Sequence, residues 1–370
     1  MFARAPAFWS HPHTLPGRLL APIGWIVGAI TLRRMAKPGA ELGVPVICIG
    51  NPTVGGAGKT PTALALLAQM KARGATPFAL LRGHGGREAG PLLVDPARHD
   101  AAAVGDEALL LAQAAPTIVA RDRVAGARLA VARGASHIVM DDGFQNPSLH
   151  KDAALLVVDG AAGLGNGHVL PAGPLRAPFP GQAARADGLL IIGAGAAGAA
   201  VAARAALQVN VLRGHLVADA GDAAALAGRR ILAFAGIGRP GKFFQTLRDL
   251  GLDVAECRAF PDHHPYTPAE LSALHRDARA GGLSLVTTAK DAARLEAPEF
   301  ADVRAHVQIL RVGLELEDAA STKAHGVKAD GVKAREAEAE TEEARGFAAL
   351  ITLAETRAAR RLSPAGGGAD

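Results

Sequence analysis

Val44-Pro-Val-Ile-Cys-Ile-Gly50-Asn-Pro-Thr-Val-Gly-Gly-Ala-Gly-Lys59-Thr-Pro-Thr62 joins three kinds of sequence end to end. The apolar run Val44 to Ile49 carries no charge and is rich in β-branched residues, which predicts a buried strand. A glycine-rich turn follows, and then Pro61 to Arg73, where Ala and Leu recur at helical spacing. Strand, glycine loop and helix with Gly58-Lys59-Thr60 at the junction form the layout of a phosphate-binding P-loop. Glycines let backbone N–H groups turn toward a phosphate, and the helix N-terminus adds partial positive charge. Thr53, Val54, Gly55, Gly56, Ala57, Gly58, Lys59 and Thr60 would then cradle a nucleotide. Lys59 would reach its β/γ-phosphates, and the Thr60 hydroxyl would meet Mg²⁺. The strict pattern asks for Gly at position 53, where this chain has Thr53. The competing reading is a structural turn that happens to carry a lysine.

A chain of 370 residues is long enough for two domains with filled cores. Aromatic residues make up only 4%, which argues against single-stranded nucleic-acid binding, a function built on stacking platforms. No nucleic-acid partner is expected. The formal charge of +5 suits an anionic partner without choosing its kind. Cys48 and Cys257 give neither a disulfide framework nor a zinc spacing, so a reducing cytosolic environment is the default. Cys48, inside the predicted strand, reads as a small core residue.

Residues 1–43 differ in character. They hold both tryptophans, Trp9 and Trp25, and the uncharged stretch Leu19 to Leu32 is flanked by Arg18, Arg33, Arg34 and Lys37. About fourteen apolar residues are too few to span a bilayer as a helix. An interfacial helix fits: apolar body, tryptophan anchors and basic flanks for anionic headgroups. An ordinary core-packing helix is the alternative.

From Val44 the chain alternates strand and helix, which implies a parallel sheet covered by helices, with ligands at the carboxyl ends of the strands. The Gly/Ala-rich stretch Gly193 to Ala206 marks a boundary in this reading. The expected divisions are a membrane-associating segment 1–43, a P-loop core 44–205, a smaller α/β domain 206–314 and a charged tail 315–370. The tail reads as a solvated helix or disordered segment without chemistry.

Asp141-Asp142 ends an apolar run, His137 to Met140, as a Walker B carboxylate would, and suits Mg²⁺. Asp106-Glu107 opens a predicted helix, where acids also serve as plain N-terminal residues. The Pro261-Asp-His-His-Pro265 cluster is either a surface turn or catalytic. Leu170-Pro-Ala-Gly-Pro-Leu-Arg176 is a stiffened loop presenting one arginine, which suits phosphate recognition.

Taken in order, these segments resemble the tetraacyldisaccharide 4′-kinase family, the lipid A 4′-kinases of Gram-negative bacteria. The likeness runs through Gly50-Asn51 and Thr53 to Pro61, Arg82-Gly-His-Gly-Gly86, Val104-Gly-Asp-Glu107, Arg121-Asp-Arg123 and Asp141-Asp-Gly-Phe-Gln145. It continues in Gly165-Asn166-Gly167, Leu170 to Arg176, Phe234-Ala-Gly-Ile-Gly238, Phe260-Pro-Asp-His-His264 and Thr288-Ala-Lys-Asp291. It covers roughly residues 10 to 312, and Thr53 belongs to that family's own P-loop variant. His84, Asn146 and Ala289 depart from the family's usual Tyr, His and Glu.

The resemblance implies a P-loop NTPase-like α/β fold: a parallel sheet with helices on both faces, a second smaller α/β domain and a membrane-associating N-terminal helix. It implies ATP-dependent phosphorylation, with Mg²⁺, of the 4′-hydroxyl of an acylated disaccharide 1-phosphate. Asp106 would be the base, assisted by His263. Asp141 and Asp142 would hold the metal, with Glu107 a further candidate, while Lys59 and Arg176 would neutralise phosphate oxygens. Asn51 and Arg176 would be phosphate or substrate contacts. The expected partners are the lipid substrate and the inner-membrane surface, with the protein peripheral on the cytoplasmic face. Two rival readings are a P-loop GTPase or metallochaperone-type switch without lipid kinase activity, and an ATP-dependent ligase.

Overall fold

The computed structural model describes residues 6–317 and 346–363. Two compact units divide the chain, and neither is continuous in sequence. One comprises Ala7–Leu80, Arg123–His215 and the residues from Leu314 onward; the other, apart from the first six residues, comprises Leu81–Asp122 and Leu216–Gly313. The contiguous segments 44–205 and 206–314 expected from sequence differ from this division, because 81–122 packs with 216–313. The Gly/Ala-rich stretch is no boundary. Ala196–Ala205 is a helix that buries Gly198, Val201, Ala202 and Ala205 within the first unit.

The first unit is built on parallel strands. Val46–Gly50 lies between His137–Asp141 and Ala153–Asp159; Pro77–Leu81 flanks the former, and Gly188–Ile192 then Asn210–Ala218 extend the latter. Burial on both faces explains why these strands read as unbroken apolar runs rather than alternating ones. Val46–Gly50, His137–Asp141 and Ala153–Asp159 are buried at every position. Cys48 is fully buried among them, and burial pushes its thiol up to about 12.

The N-terminal helix is Leu15–Met35, 21 residues, and so longer than the uncharged stretch alone suggested. Its length and composition meet the requirement for crossing a membrane. One stripe, Gly17, Ala21, Gly24 and Gly28, is buried. At Gly24 a Cβ would lie 2.7 Å from the Val169 carbonyl oxygen, and at Gly28 2.9 Å from Pro178. The missing side chains let the helix lie directly on the 166–178 loop. Leu15, Leu19, Ile23, Ile26 and Ile30, four or three residues apart, are exposed on another face together with Trp25, which is 70% exposed.

Part of the expected tail is ordered structure. Phe347–Leu362 is a helix that buries Phe347, Leu350, Ile351, Ala354 and Ala358. It packs on the helix Lys59–Ala72 and on strands Val46–Gly50 and Ala153–Asp159. Arg361 donates to both oxygens of Asp152 at 3.1 Å, and Asp152 is 0% exposed. The backbone N–H of Val46, at the start of the P-loop strand, donates to the same carboxylate at 2.9 Å. At its start Glu315 and Leu316 belong to the strand Val312–Leu316, and residues 318–345 and 364–370 lie outside the described residues.

The second unit carries a parallel sheet in the order Asp253–Ala259, Arg230–Ala235, Ser284–Thr288, Val307–Leu310. Phe234, Tyr266, Leu271 and Leu285 share one of its core clusters. Its other chain segment supplies the helix Asp106–Ala114, which packs against the short helix Ala289–Ala293.

Candidate active site

In the first unit the strand Val46–Gly50 runs into the glycine loop, and the helix Lys59–Ala72 begins on Lys59 itself. Gly55 at φ 107° and Gly58 at φ 94° occupy backbone conformations that residues with a Cβ seldom adopt. Gly58 is the N-cap and supplies no side-chain acceptor, so the terminus suits an anion. Lys59 Nζ stands 3.2 Å from Asn51 Oδ1 and 3.7 Å from Asp142 Oδ1. Asn51 also donates to the Gly55 carbonyl at 3.0 Å, bracing the loop that its oxygen serves.

The 170–176 loop runs beside the P-loop. Val54 N–H donates to the Pro174 carbonyl at 2.9 Å, and Arg176 N–H to that of Pro52 at 2.8 Å. These bonds deliver the Arg176 guanidinium, whose Nη1 and Nη2 donate to the two oxygens of Asp142 at 2.8 and 3.1 Å. Its Nε donates to the Thr53 carbonyl. Asp142 has φ 53°, a conformation uncommon outside glycine. Burial alone would raise its pKa, but Lys59 and Arg176 outweigh burial and hold the carboxyl below the usual range. Asp141 is buried opposite Ile49, and Thr60 is buried in the first helical turn.

A separate cluster forms in the second unit. Asp106, 3% exposed, is the first residue of its helix, behind Gly105 at φ 88°. Asp106 Oδ2 accepts from Arg294 through Nε at 2.9 Å and through Nη2, and lies 3.2 Å from His263 Nδ1. Burial opposes ionisation of Asp106, yet the His263 hydrogen bond and the Arg294 and Lys290 charges hold it well below the ordinary carboxylate range. The same hydrogen bond raises the His263 pKa above 6.5, against burial. His263 itself has φ 55°, and the His84 ring meets its ring edge-on at 5.4 Å. Its neighbour His264 turns to Glu270 at 3.1 Å, so the adjacent histidines serve different groups.

Glu107, one of the expected metal ligands, accepts from Lys290 Nζ at 2.6 Å. Among the described residues no group of three or more His, Cys, Asp and Glu is arranged to hold a metal ion. Thr60, Asp141 and Asp142 are oxygen donors of the kind Mg²⁺ takes alongside substrate phosphates.

Sequence reasoning passed over Gln145, Gln182, Lys290, Asp291 and Arg294 as actors. Gln145 Nε2 donates to the Asn51 carbonyl and to Gln182 Oε1, tying the Asp141-Asp-Gly-Phe-Gln145 turn to the P-loop. Lys290 and Arg294 sit four residues apart, one helical turn, and take one each of the adjacent acids Glu107 and Asp106. That spacing was visible in the sequence; its partners, 188 residues away in the case of Arg294, were not.

A family model described as Tetraacyldisaccharide-1-P 4′-kinase matches residues 16–326. The chain belongs to this family. A "Tetraacyldisaccharide 4′-kinase" of Xanthobacter autotrophicus is 62% identical over 300 residues, covering 80% of this chain and 88% of its own. One from Azorhizobium caulinodans is 57% identical over 318 residues, covering 86% and 94%. Among solved structures, LpxK from Aquifex aeolicus in complex with ATP superposes with a TM-score of 0.62 at 26% identity, over 83% of this chain and 97% of that one. Every residue of both clusters lies inside the stretch matched by the 4′-kinase family, whereas the helix Phe347–Leu362 lies beyond it.

Proposed function

We propose that this 4′-kinase family member transfers the γ-phosphoryl group of ATP to the 4′-hydroxyl of a tetraacylated glucosamine disaccharide 1-phosphate, giving the 4′-phosphorylated lipid A precursor. The curated relatives carry that activity in their names, and the similar Aquifex aeolicus structure holds ATP. The observation that carries the reading is the buried, ionised Asp106 touching His263. A nucleotide switch has no need of a carboxylate–imidazole pair; transfer to an alcohol does, because the hydroxyl proton must go somewhere.

In this reading Lys59 leaves Asn51 and Asp142 for the β/γ-phosphate oxygens, and the loop 53–60 wraps the phosphates with backbone N–H groups. Arg176, already beside Thr53, adds a second cation. Thr60, Asp141 and Asp142 would hold Mg²⁺, which when bound would supply neutralisation of charge developing on the phosphates. Glu107 belongs to this set only if it leaves Lys290. Asp106 orients the 4′-hydroxyl and accepts its proton as the bond to phosphorus forms, and His263 shares that proton. An anion held so far below the ordinary carboxylate range is a weak base by itself; neutral His263 makes the pair a stronger one.

Thr288-Ala-Lys-Asp291 is only superficially like a guanine-specificity motif, which places its lysine second where Lys290 here is third. Asp291 is 0% exposed and accepts from Tyr266, Arg294 and the Gly236 N–H, so its carboxylate is committed within the fold. The chain's membership of the kinase family gives the switch assignment no support either.

The exposed apolar face of the helix Leu15–Met35, with Arg33 and Arg34 in its last turn, supports attachment to the cytoplasmic face of the inner membrane, where an acylated substrate resides. The deciding experiment offers labelled γ-phosphate of ATP and the tetraacylated disaccharide 1-phosphate in detergent micelles with Mg²⁺. A labelled bisphosphorylated lipid, absent with Lys59→Ala, is the expected product; ATP hydrolysis with unlabelled lipid would refute the reading.

A further inference from the structure

The Asp106–His263 pair is joined twice. Beyond its own contact, a second route runs through Arg294. The guanidinium holds Asp106 Oδ2 through Nε and Nη2, while its Nη1 donates to the Gly236 carbonyl at 2.8 Å. That same carbonyl accepts the backbone N–H of His263 at 3.0 Å, at the residue whose φ of 55° needs outside support. One planar group thus spaces the Asp106 carboxylate from the His263 main chain.

Arg294 is itself immobilised. Its side chain is 7% exposed and 2.9 Å from Asp291 Oδ1. Asp291 Oδ1 also accepts from the Gly236 N–H at 2.8 Å and the Tyr266 hydroxyl at 2.8 Å, and its Oδ2 accepts from Thr288 at 2.6 Å. Gly236 is therefore gripped at both its N–H and its carbonyl. A buried carboxylate with four donors is costly to build unless the geometry it fixes is used.

We propose that Arg294, locked by Asp291, is a positioning residue of the phosphoryl transfer, setting the Asp106 carboxylate and the His263 ring at a fixed separation and orientation. Arg294 touches neither substrate nor phosphate in this account; it acts through the pair. The proposal rests on the catalytic assignment of Asp106 and His263 made above. It also gives the Thr288–Asp291 motif a task, which the kinase reading alone left without one. Lysine could carry the charge but could not hold Asp106 and Gly236 together, because only the guanidinium fork spans both.

The test uses the full chain with Arg294→Gln, Arg294→Lys, Tyr266→Phe, Asp106→Ala and the Arg294→Gln, Asp106→Ala double variant. Kinase kcat, KM for ATP and thermal midpoint are measured for each. Arg294→Gln should lower kcat at least about tenfold with KM for ATP within about twofold. Arg294→Lys should recover only part of that loss, and Tyr266→Phe, which loosens Asp291 without touching the pair, should cost a few-fold.

In the double variant the loss should match that of Asp106→Ala alone, because Arg294 acts through Asp106; multiplicative losses would overturn the proposal. So would Arg294→Gln with unchanged kcat, or full recovery in Arg294→Lys. NMR of labelled histidine separates this proposal from the reading beneath it. If Asp106→Ala kept its turnover, the base assignment would fall, yet His263 ring signals displaced by Arg294→Gln would still support the link. Unmoved signals would overturn it. Arg294→Lys and Tyr266→Phe keep the test decisive if Arg294→Gln does not fold.

Discussion

Arg176 grips both oxygens of Asp142, at 2.8 and 3.1 Å, while Lys59 Nζ stands 3.7 Å from one of them. Two cations thus converge on one carboxylate beside a glycine loop that brings backbone N–H groups but no anion of its own. Phosphate oxygens entering this loop would compete with Asp142 for both. Arg176→Lys keeps the charge and loses the fork. The kcat/KM for ATP is expected to fall about 10- to 100-fold, the worth of a charge-assisted hydrogen bond, whereas Lys59→Ala abolishes turnover; steady-state kinetics against ATP checks both.

The Asp106–His263 pair ties activity and stability to pH in opposite directions. The His263 pKa lies above 6.5 in the fold, so its stabilisation is complete below that value and is lost as pH rises through the raised one. The depressed Asp106 keeps its stabilisation until pH falls well below the ordinary carboxylate range. The pair therefore stabilises most between roughly pH 4 and 6.5. Thermal midpoints should decline from pH 6 to above 8, and His263→Asn should flatten that slope. Over the same interval kcat should rise as His263 loses its proton, and the rise should vanish in His263→Asn; a wild-type kcat that falls across this range would contradict the assignment.

Arg361 and Asp152 predict the worth of the C-terminal helix. Asp152 is fully buried and anchors the first residue of the P-loop strand. Arg361→Ala leaves that carboxylate without its closest cationic partner, and removing one member of a buried ion pair costs about 3–5 kcal/mol. Urea denaturation of the full chain should register the loss; a change below about 1 kcal/mol would contradict this account of the ion pair.

The two faces of the N-terminal helix should separate in experiment. Gly24→Ala drives a Cβ to 2.7 Å from the Val169 carbonyl and should destabilise the fold by about 1–3 kcal/mol. Trp25→Ser with Ile26→Ser, both on the exposed face, should leave stability within about 0.5 kcal/mol per site. The pair should nonetheless weaken binding to phosphatidylglycerol vesicles in a flotation assay. Unchanged flotation would rule this face out as the membrane contact.

The P-loop and its neighbouring strands were legible because local signals agree there: apolar runs mark buried strands, and glycines mark the turn. Asp106 and His263 were legible only through resemblance to a family, since an acid at a helix start and a histidine in a proline-flanked turn each have ordinary explanations. Arg294 and Asp291 left no local mark, because what makes them matter is a partner far away in sequence. The tail misled for a related reason. Composition dominated by Ala, Glu and Lys hid the spacing of Phe347, Leu350, Ile351, Ala354 and Ala358, which is an amphipathic helix's buried stripe.

The interleaving of the two units has a consequence for biosynthesis. Asp106 leaves the ribosome long before Arg294, and the P-loop strand long before Arg361, so neither unit can close while its early half is all that exists. The nascent P-loop strand stays without the Arg361 contact to Asp152 until residue 361 has been made. Completion of the first unit is thereby deferred until Arg361 has been made, and a chain ended at the 215/216 junction would hold two incomplete cores rather than one finished domain.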